Sequence, residues 1–322
     1  MKVIIQIPCY NEEGTLGATL ATLPRQLPGV DVVEWLVVDD GSTDRTIEVA
    51  QAGGVDHVVR LPSHQGLACA YMAGLEACVR AGADVIVNTD ADNQYRADFI
   101  PHLIAPILGG HAEMVVGARP VDEIDDFSAT KKLLQKLGSW VVRYASGTSI
   151  PDSPSGFRAI TRDAALRLHV FGRYTYTLET VIQAGHKGLA VTSVPVLTNP
   201  ATRPSRLVKS VSSYVRRSMV TIFRIFLLYR PLRVFFILGA APFLGGVALF
   251  VRWLLLFFLE DSTRVRAPSL IVAAVLVLVG FQLWTFGLLA DLLAANRKLL
   301  EDVQYRIRRA EAGAPGAARA EP

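Results

Sequence analysis

The chain has 322 residues, 51% of them hydrophobic, and a formal net charge of +4 at pH 7. That length holds one α/β domain with an additional segment, and so small a net charge gives no reason to expect a nucleic-acid partner. Cys9, Cys69 and Cys78 have no metal-ligand spacing, which excludes a zinc scaffold and reads as reduced cytosolic thiols.

In chain order, KVIIQI at residues 2–7 reads as a buried strand, after an N-terminus whose apolar run is too short for a signal peptide. Asn11, Glu12 and Glu13 then supply an N-cap and first-turn acids for a helix. VEWLVV at 33–38 is a second strand, followed by DDGSTD and a helix; residues 57–61 form a short third strand and 66–81 a helix of small residues. Residues 84–88 and 113–117 are a fourth and a fifth strand. This alternation predicts a mostly parallel sheet with helices on both faces.

Polar clusters follow three of these strands: PCYNEE, DDGSTD and TDADNQ. In a parallel α/β sheet the carboxyl ends of the strands share one edge, where ligands bind. Tyr10, Glu12, Asp39, Asp40, Asp90 and Asp92 are therefore expected on one rim, where so many carboxylates require a cation or hydrogen-bond donors. Asp44, Glu13 and Asn93 read more simply as caps. The first turn lacks the G-x-G-x-x-G of a dinucleotide fold, and no P-loop occurs. Asp90 and Asp92, two residues apart on an extended segment, project to one side. Hard oxygen ligands of this kind suit Mg²⁺ or Mn²⁺ shared with substrate phosphates.

Residues 201–230 carry seven basic residues and no acid, with apolar positions at helical spacing; they predict an interfacial helix on an anionic membrane surface. Two apolar runs follow, about 232–259 and 268–291, each long enough to cross a bilayer. Arginines precede the first run and follow the second, which places the N-terminal domain and both termini in the cytoplasm. Pro242, Gly245 and Gly246 suggest a kink and close helix contact, and a homo-oligomer through the transmembrane helices is one expectation. The expected domains are thus 1–200, 201–230, a transmembrane hairpin at 231–292, and a C-terminal helix with a disordered tail at 293–322.

VIIQIPCYNEEGTL, VVDDGSTDRT and NTDADNQY, with DSPSGFRAITRDAALRL at 152–168 and GLAVTSVPV at 188–196, resemble the motifs of family 2 glycosyltransferases with the GT-A, Rossmann-like fold. The resemblance is nearest to polyprenyl-phosphate glycosyltransferases of the dolichyl-phosphate mannose synthase type. It implies an inverting hexosyltransferase of the inner membrane. Such an enzyme moves sugar from a UDP- or GDP-linked donor to undecaprenyl or dolichyl phosphate on the cytoplasmic face. Alternatives are transfer to a lipid alcohol or lipid-linked glycan, or a non-catalytic scaffold. By resemblance, Pro8, Tyr10, Glu12, Asp39, Asp40, Asp90 and Gln94 would hold the nucleotide sugar, and Asp90 and Asp92 the metal. Arg119, Arg203, Ser205 and Arg206 would meet the lipid phosphate, and Asp152, Arg119 and Asp92 would serve catalysis. Two departures stand out: His64 where the family usually has Asn, and Lys131 and Lys132 near a usual arginine.

Overall fold

The structure, a computed structural model, describes residues 1–120, 138–139, 142–144, 146–170, 176–200, 227, 231–259 and 267–313. The expected interfacial segment at 201–230 lies outside the described residues except for position 227, as do Lys131, Lys132, Arg203, Ser205 and Arg206. The contact pattern divides the chain into one unit of Met1–Ser218 with Gln304–Pro322, and another of Met219–Val303.

The first unit is built on a seven-stranded sheet. Its strands are β1 (Lys2–Cys9), β2 (Val32–Asp39), β3 (His57–Arg60), β4 (Val85–Asn88), β5 (Met114–Ala118), β6 (Arg158–Thr161) and β7 (Val191–Pro195). Their spatial order is β3-β2-β1-β4-β6-β5-β7. β1 pairs in parallel with β2 and β4, β2 with β3, and β5 with β7, whereas β6 runs antiparallel between β4 and β5. The intervening helices are α1 (Leu16–Thr22), α2 (Thr46–Ala52), α3 (Leu67–Arg80), α4 (Ile100–Leu108), α5 (Arg162–Arg167) and α6 (Thr177–His186).

β1 is central and buried along nearly its whole length, so it reads as a continuous apolar run rather than an alternating one. Its odd residues Val3, Ile5 and Ile7 join Leu16 and Leu20 of α1 and Ile100, Leu103 and Ile104 of α4 in the main hydrophobic cluster. On the opposite face α3 comes close at Gly74, where a β-carbon would lie 2.4 Å from Gln6 Oε1.

One helix start differs from the sequence expectation. α1 begins at Leu16, not at Asn11. Asn11 takes a positive φ of 54°, and its Oδ1 accepts from Thr43 N at 2.9 Å, while Glu12 N donates to Thr46 Oγ1 at 2.8 Å. The polar groups of this turn are spent on the neighbouring turn after β2, so they are not available to open a helix. The N-cap of α2 is Arg45, with no side-chain cap hydrogen bond; Asp44, one residue earlier, accepts from Thr46 N at 3.1 Å.

The second unit contains most of two helices, α7 (Pro231–Leu259) and α8 (Ala267–Gly313). Both are long and apolar enough to cross a membrane, and they expose large side chains such as Phe236, Leu244, Phe258, Ile271 and Phe281. α8 continues unbroken past position 292 to Gly313. The close contact expected at Gly246 is made within the chain: a β-carbon there would lie 2.8 Å from Ala273 O and from Val277 of α8, whereas Gly245 faces open space.

Gly41, in the turn after β2, has φ +69° and no room for a β-carbon, which would lie 2.6 Å from the Ser63 carbonyl carbon. Gly41→Ala should therefore lower unfolding stability by about 1–3 kcal/mol, measurable by denaturant titration at constant m-value.

Candidate active site

The parallel strands β1, β2 and β4 release their chains at the same edge of the sheet. Tyr10 follows β1, Asp39 and Asp40 close β2, and Asp90 and Asp92 follow β4. β5, parallel to β4 through the reversed β6, delivers Arg119. The carboxylates crowd together as expected. The Cys9 thiol at the end of β1 is pushed up well above its ordinary value by burial, then by Glu12, Asp39, Asp44 and Asp90.

On the β2 side, Asp39 is fully buried; its Oδ1 accepts from Ser42 N at 3.0 Å. Its Oδ2 receives no hydrogen bond among the described residues and lies 3.6 Å from Arg60 Nε. Asp40 is committed to the next loop, accepting from Gln65 N at 2.7 Å and Gly66 N at 2.9 Å and meeting His64 Nδ1 at 2.8 Å. The His64 ring stacks on Tyr10 with centroids 3.9 Å apart. Pro8 is buried within β1, and the Glu12 carboxylate accepts from Thr15 Oγ1 at 2.7 Å. Beside these groups lies a cavity of about 530 Å³ lined by Gly41, Ser42, Thr43, Arg60, Leu61 and Pro62.

At the centre, Asp92 Oδ1 accepts from Gln94 N at 3.1 Å, and Asn93 between them takes φ 54°. The partly buried Asp90 carboxyl is pushed up to about 7 by burial and by Asp92 beside it, against the pull of Arg119, with Glu12 adding to the rise. Among the described residues no set of three or more His, Cys, Asp or Glu is placed to hold a metal. Asp90 and Asp92 thus offer two hard oxygen donors whose mutual repulsion a divalent cation would relieve. That donor set fits an ion completing its shell with substrate phosphates and water.

On the far side, Arg119 and Asp152 are locked together. Arg119 Nε donates to Asp152 Oδ2 at 2.7 Å, Nη2 to Oδ1 at 3.2 Å, and the Arg119 backbone N–H to Oδ2 at 3.2 Å. Asp152 is 1% exposed, so this forked pair is shielded from water.

Beneath the rim lies a layer to which the sequence reading gave no role. Arg158 is fully buried; its guanidinium donates to Ser155 O, Ser153 O, Thr177 O and Thr180 Oγ1. Tyr95 stacks on Phe157 at 5.2 Å. The one available signal was the arginine closing the DSPSGFR stretch.

With this geometry in place, comparison with known proteins is specific. The family model described as "Glycosyl transferase family 2" matches residues 4–168, just over half of the chain. The undecaprenyl-phosphate mannosyltransferase of Micrococcus luteus is 30% identical over 206 residues, covering 61% of this chain and 83% of that protein. The polyprenol monophosphomannose synthase of Mycolicibacterium smegmatis is 27% identical over 206 residues, covering 61% and 76%. The crystal structure of glucosyl-3-phosphoglycerate synthase from Mycobacterium tuberculosis, in complex with Mn²⁺, UDP and glucosyl-3-phosphoglycerate, superposes with a TM-score of 0.53 at 23% identity, covering 69% of this chain and 79% of that one. That last likeness establishes the shared GT-A fold.

A carboxyl whose folded value lies near 7 rather than 3.8 binds a proton in the folded state that the unfolded chain has already lost. Folding stability without divalent metal should therefore fall as pH rises from about 4 to about 7 and level off above. Asp90→Asn removes that loss. It should raise the melting temperature of EDTA-treated protein at pH 7.5, with the gain shrinking toward pH 4, as followed by thermal unfolding across pH.

Proposed function

The chain belongs to glycosyltransferase family 2, and from that premise we propose that it moves a hexose from a nucleotide sugar to a polyprenyl phosphate at a membrane surface. The similarity to an undecaprenyl-phosphate mannosyltransferase and a polyprenol monophosphomannose synthase supports the acceptor class, and α7 and α8 supply helices suited to the bilayer. Arginines at both ends of the helical pair support a multi-pass arrangement in the inner membrane with the sheet unit and both termini cytoplasmic.

The donor's base and ribose would occupy the β1 and β2 ends. Tyr10 offers an aromatic face there, Asp39 Oδ2 an acceptor for a base N–H, and Pro8, Glu12 and Asp40 shape the pocket. Asp90 and Asp92 would hold Mg²⁺ or Mn²⁺, with Gln94 beside them, and the bound ion would supply charge neutralisation for the departing diphosphate. Arg119 would meet the acceptor phosphate, joined by Arg203, Ser205 and Arg206 from beyond the described residues.

One observation carries the choice of acceptor: both oxygens of Asp152 are bonded to Arg119. A carboxylate so engaged is poorly placed to take a proton from an alcohol. A phosphate monoester needs no such base, because its oxygen is already ionised near neutral pH. In this reading that oxygen bonds to the anomeric carbon as the bond to the nucleoside diphosphate breaks, with inversion. Asp152 keeps the Arg119 fork aimed, and catalysis rests on positioning and charge.

The full chain, incubated with UDP- and GDP-hexoses and undecaprenyl or dolichyl phosphate, should yield a lipid heavier by one hexosyl group. NMR should show its anomeric configuration opposite to the donor's. Folded protein that gives no such lipid with any donor overturns the activity, and retention overturns the displacement.

Asp152→Asn separates aiming from base catalysis. Loss of the charged fork should lower kcat/KM for the lipid phosphate by about 10–100-fold and leave the pH profile of kcat unchanged. Disappearance of the acid limb in the variant would identify Asp152 as the base instead.

A further inference from the structure

The Asp90 carboxylate closes off the space beside a residue without a side chain. A β-carbon added to Gly156 would lie 3.2 and 3.3 Å from the two carboxylate oxygens of Asp90 and 3.0 Å from the Tyr176 hydroxyl. Gly156 is not among the residues with positive φ, so the position calls for missing volume rather than backbone freedom.

Gly156 is also pinned through both of its peptide groups. Its N–H donates to the Tyr95 hydroxyl at 3.0 Å. Its carbonyl accepts from Asn88 Nδ2 at 2.8 Å and from the Tyr176 hydroxyl at 3.4 Å. Asn88 Nδ2 donates in addition to the Tyr176 hydroxyl at 2.9 Å, and Asn88 Oδ1 accepts from Gln6 Nε2 at 2.9 Å. The Tyr176 ring is clamped by stacking on Tyr71, 3.8 Å between centroids and 6° between planes. Asn88, Tyr95 and Tyr176 are all buried. A buried polar network with its partners in place is stiff, and here it fixes the residue whose missing side chain leaves room for the Asp90 carboxylate.

We propose that Gly156, held by Asn88, Tyr95 and Tyr176, fixes the Asp90 carboxylate in the position from which it takes a divalent cation. These are positioning residues: they act on the cation through Asp90. The inference rests on the metal reading above and adds the groups that aim the ligand. Outer partners of metal ligands commonly govern affinity by about 10–100-fold, and a carboxylate shifted by a few tenths of an ångström loses part of its fit.

The test uses the full chain in lipid nanodiscs, with Mn²⁺ titrated in the presence of UDP or GDP and free Mn²⁺ read by electron paramagnetic resonance. Gly156→Ala should weaken Mn²⁺ binding by about 10–100-fold. Tyr176→Phe keeps the stacked ring and loses the hydroxyl, and should weaken it by about two- to tenfold. In both variants kcat should return to within about twofold of wild type once Mn²⁺ is saturating, which a general loss of structure would not allow. If Gly156→Ala does not fold, Tyr176→Phe decides alone. Wild-type Mn²⁺ affinity in folded variants overturns the proposal, as does a lowered kcat at saturating Mn²⁺ with unchanged affinity. If the wild-type chain takes up no Mn²⁺ with either nucleotide, the metal reading itself fails and this proposal falls with it. Uptake by the wild type with unaffected variants refutes the positioning role only.

Discussion

The site depends on a positive charge buried where no water reaches it. Arg158, 1% exposed, opens β6 and reaches the carbonyls of Ser153, Ser155 and Thr177 and the hydroxyl of Thr180. A guanidinium can do this because its donors lie in one rigid plane; a lysine would bring a single ammonium on a flexible stem. Burial pulls the Arg158 value down, while Tyr176, Tyr71, Tyr95 and Asp152 oppose that pull. The cost of dehydrating the cation is offset by carbonyl dipoles and by the field of nearby acids. What is gained is a fixed loop: residues 152–157 are drawn onto the start of α6, and with them come Asp152 toward Arg119 and Gly156 toward Asp90.

The rim above Arg158 is an arrangement that stability alone would not select. Asp39 is fully buried with one oxygen receiving no hydrogen bond among the described residues, and Asp90 sits beside Asp92 with a proton affinity raised to about 7. Each is unfavourable in isolation, as groups at functional sites often are. The surrounding fold tolerates them because a large hydrophobic cluster drawn from β1, β2, α1 and α4 supports the strand ends and reaches the site itself through Ala91, Tyr95 and Phe157.

Much of this was legible in the sequence. Runs such as KVIIQI and VEWLVV announce buried strands, and in an alternating α/β chain their ends must share an edge, so the meeting of Tyr10, Asp39 and Asp90 follows from local pattern and topology alone. The pairing of the aspartates was readable, but its geometry was not: the sequence suggests extended backbone, whereas β4 ends at Asn88 and a turn at Ala91 and Asp92 brings Asp92 beside Asp90. The partners of those residues were not readable. Gly156 lies beside Asp90 across 66 positions of chain and Asn88 meets Tyr176 across 88, and no periodicity encodes neighbours so remote. The start of α1 was misplaced for a related reason: Asn11 and Glu12 look like capping residues, but their hydrogen bonds go to the turn after β2. Gly246 was correctly marked as a close-contact position, and only the packing of α7 on α8 reveals that its neighbour belongs to the same chain.

The reversed strand β6 also imposes an order on assembly. β1 to β4 pair with one another as they emerge, through β1–β2, β2–β3 and β1–β4. β5 has no hydrogen-bonded neighbour among them; its partners are β6 and β7. It must wait, unpaired, until residues 158–161 arrive to fill the space between it and β4. During synthesis the half of the sheet formed by β1 to β4 is thus complete while the loop at residues 152–157 is still missing. A nascent chain released too early would carry a finished half-sheet with one raw edge, the kind of species that chaperones exist to shield.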